Sequence, residues 1–254
     1  RSTLFPYTTL FRSTNLEQIV RDVFGTLKPN GYRQFTTAYV EIPKKMGKSQ
    51  LAAAIALYLT CADGEQRAEV YGCAADVNQA KIVFDVAVDM VMLCPALERH
   101  VTINKSTRTI VYNPTNSKYK VLSADVANKH GFNTHGVIFD ELHTQPNRKL
   151  YDVMTKGSGD ARKQPLFFLI TTAGDNTNSI CWEVHQKALD ILEGRKIDKT
   201  FYPVIYGASE DEDWTDPKVW EKANPSLGIT VDIEKVQERS EEHTSELQSH
   251  ELIS

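Results

Sequence analysis

Three short segments of this chain carry residue types that handle phosphate. The first, PKKMGKSQ (residues 43–50), ends as a phosphate-binding loop ends, with Gly47, Lys48 and Ser49. Ile42 stands where the pattern G-x-x-x-x-G-K-[ST] places its first glycine. Such a loop needs backbone N–H groups turned into a concavity, with a helix N-terminus behind them. Gly47 permits that backbone and the close approach of phosphate oxygens. Lys48 would reach the β- and γ-phosphates, and Ser49 would ligate Mg2+. Lys44 and Lys45 add positive charge, Pro43 fixes a turn in place of the missing glycine, and Met46 and Gln50 complete the candidate cofactor-binding set. The alternative is a basic, solvated turn with Ser49 as a helix cap.

The second segment is GVIFDELH (residues 136–143), an apolar run ending in two acids. Asp140 would hold Mg2+ and Glu141 would orient and deprotonate an attacking water. The alternative is a pair of acids capping the next helix. His143 is read as a supporting or packing residue rather than a ligand. The third segment is FFLITTAG (residues 167–174), where Thr171 and Thr172 could sense a γ-phosphate and pass on its loss. Ordinary strand-end threonines are the alternative there.

Strands and helices must alternate to bring these segments together. Helical patterns span residues 14–27, 49–64, 76–94, 147–157 and 179–196, with Asp76 as an N-cap and Pro95 just past an end. Strand patterns span residues 37–42, 68–75, 102–113, 118–125, 136–141, 165–174 and 199–207, with a turn at 113–117. The order predicts an α/β fold: a mostly parallel sheet with helices on both faces. Ligands in such sheets bind beyond the carboxyl ends of the strands. All three segments fall at that edge, and together they favour a variant phosphate loop over a chance G-K-S.

The two ends of the chain read differently. LFRS (residues 10–13) back-translates to CTCTTCCGATCT, and RSEE (residues 239–242) to its reverse complement, as paired sequencing adapters would. Residues 1–13 and 239–254 are therefore set aside as adapter-like sequence, leaving a genuine segment of 14–238, truncated at both ends. The whole chain has 29 Lys+Arg and 33 Asp+Glu, net charge −4. Without Arg1, Arg12, Arg239, Glu241, Glu242, Glu246 and Glu251 the net charge is −3, so no global basic bias points to nucleic acid. Cys61, Cys73, Cys94 and Cys181 are far apart and read as small buried residues, not disulfides or a zinc site. The longest mostly apolar run, LAAAIALYLTCA, is too short to span a bilayer.

EIPKKMGKSQLAAAIALYL, SADVANKHGFNTHGVIFDELH, LFFLITTAG and DWTDPKVWEKANPSLG, in this order and spacing, resemble the ATPase half of the large terminase subunit of tailed bacteriophages. The resemblance covers most of residues 31–228, and a P-x-x-x-G-K-S loop without its first glycine is a trait of that family. It implies a P-loop NTPase (RecA/ASCE-like) fold and an ATP- and Mg2+-dependent motor that packages double-stranded DNA into a capsid. The motor would act as a homo-oligomeric ring on the portal protein, with a small terminase subunit, at the prohead in the host bacterial cytoplasm. Residues 14–207 would be the ATPase domain and 208–238 a linker with one short helix, leading to a nuclease domain absent from this chain. Lys48 and Ser49 would serve phosphate and Mg2+, Asp140 Mg2+, Glu141 as base, and Thr171 and Thr172 coupling. Lys44 takes the place of a basic residue expected near the loop. Tyr32, Arg33 and Gln34 are candidates for adenine contacts.

One departure stands out. A trans-acting arginine is expected shortly before the acidic strand, where only Lys129 and His130 occur; Arg148 and Arg162 come after it. If Arg162 is that residue, Arg162→Ala abolishes DNA-stimulated hydrolysis and spares nucleotide binding. Two other classes compete. DELH resembles the acidic box of DExH-like helicases, although no second motor domain or full phosphate-loop pattern accompanies it. A decayed prophage fragment acting only as an interaction module is the other, and the presence of Glu141 argues against it.

Overall fold

The structure, a computed structural model, describes residues 14–123, 132–156, 162–174, 176–208, 212–213, 215–228 and 231–238. Both adapter-like ends lie outside the described residues. Eight strands form one sheet, β1 (Thr37–Glu41), β2 (Glu69–Ala74), β3 (Val101–Asn104), β4 (Thr109–Tyr112), β5 (Ser117–Ser123), β6 (Thr134–Asp140), β7 (Leu166–Thr171) and β8 (Phe201–Ile205). Their order is β3-β4-β5-β2-β6-β7-β1-β8, parallel from β5 to β8, with β3 and β4 antiparallel at one edge.

Helices cover both faces, and the strand sequences say why. In β1, Ala38 and Val40 join one apolar cluster and Tyr39 the other; in β7, Phe168 and Ile170 oppose Leu169. Successive side chains point to opposite faces, so continuous apolar runs require cover on both. On the first face lie α1 (Thr14–Gly25), α2 (Lys48–Cys61) and α3 (Val77–Met92). On the second lie α5 (Lys149–Lys156) and α6 (Ile180–Leu192). α2 is buried almost all round, which its Ala/Leu/Ile-rich sequence permits. It rests directly on the sheet: a Cβ on Gly136 of β6 would lie 2.7 Å from Leu59 of α2.

Two expectations need correction. Residues 102–113 are not one strand but the β3–β4 hairpin. Asn104 Oδ1 accepts from the Ser106 hydroxyl (2.8 Å) and the Thr107 N–H (3.0 Å), closing a turn that lacks glycine or proline. Pro95 does not merely follow α3; it opens the one-turn helix α4 (Pro95–Glu98), as proline does at a first helical position. The short helix expected in the tail is α7 (Pro217–Ala223), capped by Asp216.

The amino edge of the sheet is tied by buried charge. Arg33, just before β1, forms a two-pronged pair with Asp63 (3.1 and 3.0 Å) and donates to the Gln164 carbonyl before β7. Asp63 also meets His135 Nε2 at 2.7 Å. Removing one member of such a buried pair costs about 3–5 kcal/mol. Among the described residues, no helix is long and apolar enough to cross a membrane.

Candidate active site

β1 delivers the chain to residues 42–47. Ile42 N–H continues the ladder to the Thr171 carbonyl (3.0 Å), and the backbone then curls. Lys45 (φ 66°) and Gly47 (φ 79°) are left-handed, and α2 starts at Lys48 with no side-chain cap. Without a cap, the first N–H groups of α2 remain available at its positive end. The alternative of Ser49 capping this helix is excluded. The loop walls a cavity of about 300 Å³, lined by Lys44, Lys45, Gly47, Lys48, Ser49, Gln50 and, from another strand, Glu141. Two of the eight loop residues stand apart. Met46 is 1% exposed and packs in the core, so its side chain anchors the loop and only its backbone is left to serve the binding set. Pro43 stands behind the lysine, its carbonyl accepting from Lys48 Nζ at 3.4 Å.

β6 delivers the two acids. Asp140, its last residue, is 3% exposed. Its Oδ2 accepts from Gln79 Nε2 at 3.3 Å, while Oδ1 is buried without a partner. Burial, and then the neighbouring Glu141 charge, push the Asp140 carboxyl up to about 6. Glu141 takes the left-handed conformation (φ 52°, ψ 58°), a strained one for a non-glycine residue. It caps no hydrogen bond of the following 3-10 turn, so the capping alternative fails as well. The turn aims Glu141 across the sheet edge: Oε1 lies 3.3 Å from Lys48 Nζ. Oε2 accepts from the Thr172 N–H (3.3 Å) and hydroxyl (3.4 Å).

β7 runs between β1 and β6 and so places the threonines between loop and acids. Thr171 Oγ1 donates to the Thr172 carbonyl (2.8 Å) and meets His143 Nδ1 at 2.9 Å. His143 Nδ1 also lies 3.4 Å from Glu141 Oε2, the supporting position the sequence suggested. Gly174 is required here, because a Cβ on it would lie 2.8 Å from His143 Cβ. The site is thus a basic, N–H-rich cavity facing a carboxylate fixed by a lysine and a threonine. Its chemistry is anion binding beside a base. Ser49 and Asp140 offer the hard oxygen donors a small divalent cation takes, and the orphaned Oδ1 of Asp140 fits that use.

Several candidates lie elsewhere. Arg33 is buried in its clamp with Asp63, and Gln34 donates to the Lys199 carbonyl before β8. Tyr32 sits under Lys163. All three are at the amino edge of the sheet, a strand length of roughly 16 Å from the loop, which removes them as adenine contacts. Arg162 is there too: it pairs with Glu65 (2.8 Å) and donates to the carbonyls of Gln66, Arg67 and Asn133. Within this chain it is a tie between strand beginnings. Arg148 is half-exposed at the start of α5, paired with Asp152 and Glu183. Lys129 and His130 lie outside the described residues. Gln79, which touches Asp140, was missed. Asp76-x-x-Gln79 has the spacing of a helix capping motif, and that ordinary reading hid it.

Comparison with known proteins agrees with this geometry. The family model for the terminase large subunit, ATPase domain, matches residues 17–189. The chain is 31% identical over 217 residues to the terminase large subunit of Enterobacteria phage HK97, covering 84% of this chain and 42% of that protein. It is 40% identical over 101 residues to protein YmfN of Escherichia coli K12, covering 40% of this chain and 22% of YmfN. The crystal structure of the HK97 bacteriophage large terminase superposes with a TM-score of 0.78 at 27% identity, over 91% of this chain and 47% of that one. The chain therefore spans less than half the length of these relatives. With the phosphate loop, the acid pair and the intervening threonine strand in one site, this chain belongs to the ATPase domain family of terminase large subunits.

Proposed function

We propose that this chain is the ATP-hydrolysing motor unit of a machine that packages double-stranded DNA into a viral capsid. Residues 14–207 form the motor and 208–238 lead toward a nuclease half. The working form is a homo-oligomeric ring on a portal protein, served by a small terminase subunit, at the prohead in the bacterial cytoplasm. The observation that carries the hydrolytic reading is the 3.3 Å approach of Lys48 and Glu141, groups from two separate strand ends that share one cavity.

The residues divide the chemistry. Backbone N–H groups of the loop and the α2 N-terminus hold the phosphates, and Lys44 and Lys45 raise the local positive potential. Lys48 neutralises charge on the β- and γ-phosphates. A γ-phosphate drawing Lys48 toward itself frees Glu141 Oε1 to accept the proton of an attacking water. Thr172 keeps Oε2 fixed meanwhile, so the base is oriented rather than mobile. Thr171 and His143 connect the same carboxylate to β7, the element that would pass phosphate loss to its neighbours. Ser49 and Asp140 would hold Mg2+, which would supply charge neutralisation for the phosphates. Glu141→Gln tests the assignment of the base. It should bind nucleotide like the parent and lose turnover by about 10²-fold or more. Parent-like turnover in the Gln variant would remove Glu141 from that role.

A further inference from the structure

We propose that Gln79 is a positioning residue of the hydrolytic site: its side-chain amide holds one oxygen of Asp140 so that the other is directed to the Mg2+ position. The proposal rests on the assignment of Asp140 to Mg2+.

The two oxygens of Asp140 are unequal. Oδ2 accepts from Gln79 Nε2 at 3.3 Å; Oδ1 is buried and has no hydrogen-bond partner among the described residues. A carboxylate has lone pairs for about four donors, so a buried one served by one side-chain donor and the neighbouring Glu141 backbone is under-satisfied. One fixed oxygen and one free oxygen is the arrangement by which an outer partner orients a metal-binding carboxylate.

Gln79 is itself held in place. β2 pairs with β6 from Val70↔Gly136 to Cys73↔Phe139, so α3, which follows β2, begins beside the end of β6. Asp76 Oδ1 accepts the N–H groups of Asn78 (2.6 Å) and Gln79 (3.0 Å), fixing the first turn of α3. Three residues after an N-cap, a glutamine side chain ordinarily reaches back to the cap's own N–H. Here its amide is directed to Asp140. A packing role is not needed to explain Gln79, which is only partly buried on a helix whose apolar positions Ala80, Val83 and Phe84 supply the core.

The test uses the full chain and fluorescent ADP, titrated with Mg2+ from an EDTA baseline. The variants are Gln79→Met, which keeps volume and removes the donor, and Gln79→Ala. Both should bind ADP in EDTA within about twofold of the parent and need about tenfold or more Mg2+ to reach half of the metal-induced gain in affinity. A Met variant with the parent's Mg2+ response overturns the role of Gln79 and leaves the Asp140 assignment standing. Equal losses with and without Mg2+ also overturn it, since they mark a general defect of the pocket. A parent chain whose ADP affinity ignores Mg2+ overturns the Asp140 assignment itself.

Discussion

Replacing Asp140 with asparagine isolates what the buried carboxylate costs the fold. The side chain is 3% exposed, has one side-chain donor, and lies beside the Glu141 charge. Its carboxyl is raised from 3.8 to about 6. A raised carboxyl means that the folded state disfavours the anion. The penalty is absent below the unfolded value, grows as pH rises, and is complete above the folded one. At 1.36 kcal/mol per pH unit it reaches roughly 3 kcal/mol at pH 7.5 and about half of that at pH 5. Asparagine keeps an oxygen for Gln79 and carries no charge, so Asp140→Asn should be the more stable protein in EDTA. For a domain of this size the gain corresponds to a rise of about 6–12 °C in Tm at pH 7.5, narrowing toward pH 5. Scanning calorimetry of both proteins at the two pH values reads this directly. An Asn variant that melts at or below the parent at pH 7.5, or an advantage that does not narrow at pH 5, would refute the reasoning.

Two further substitutions separate structural from hydrolytic roles. Arg162→Ala removes the tie to Glu65 and three backbone carbonyls. It should lower stability by about 2–3 kcal/mol in urea unfolding while the folded protein still hydrolyses ATP; lost hydrolysis at unchanged stability would contradict this. Gly174→Ala drives a Cβ against His143 and displaces the support of Glu141. Turnover should fall on the order of tenfold or more with ADP affinity retained, and an unaltered turnover would mean that His143 does not position the base.

Much of this site was legible because parallel-sheet chemistry concentrates at one edge. The runs ending in Glu41, Asp140 and Thr171 were readable as buried strands, and whatever follows such strands meets at their carboxyl ends. The strand order that sets β7 between β1 and β6 was not readable, although it is what brings Thr172 to Glu141. The misplaced arginines share one cause. Arg33 and Arg162 precede strands, and so fall at the far edge, where they pair with Asp63 and Glu65. An arginine's type says nothing of which edge it serves. Met46 was lost to the core because the loop had to be anchored as well as open. Gln79 was hidden by a local pattern that explained it adequately without a tertiary partner.

The most direct test of this nucleotide site is thermal unfolding of the chain with and without excess Mg2+–ATP, beside Lys48→Ala. Ligand at about 100 times its dissociation constant should stabilise the fold by roughly 2.7 kcal/mol. That shift should appear in the parent and be lost in Lys48→Ala, because Lys48 lines the cavity and faces Glu141. A cooperatively folded parent that shows no shift, or a shift that survives in Lys48→Ala, would contradict a nucleotide site built on this loop.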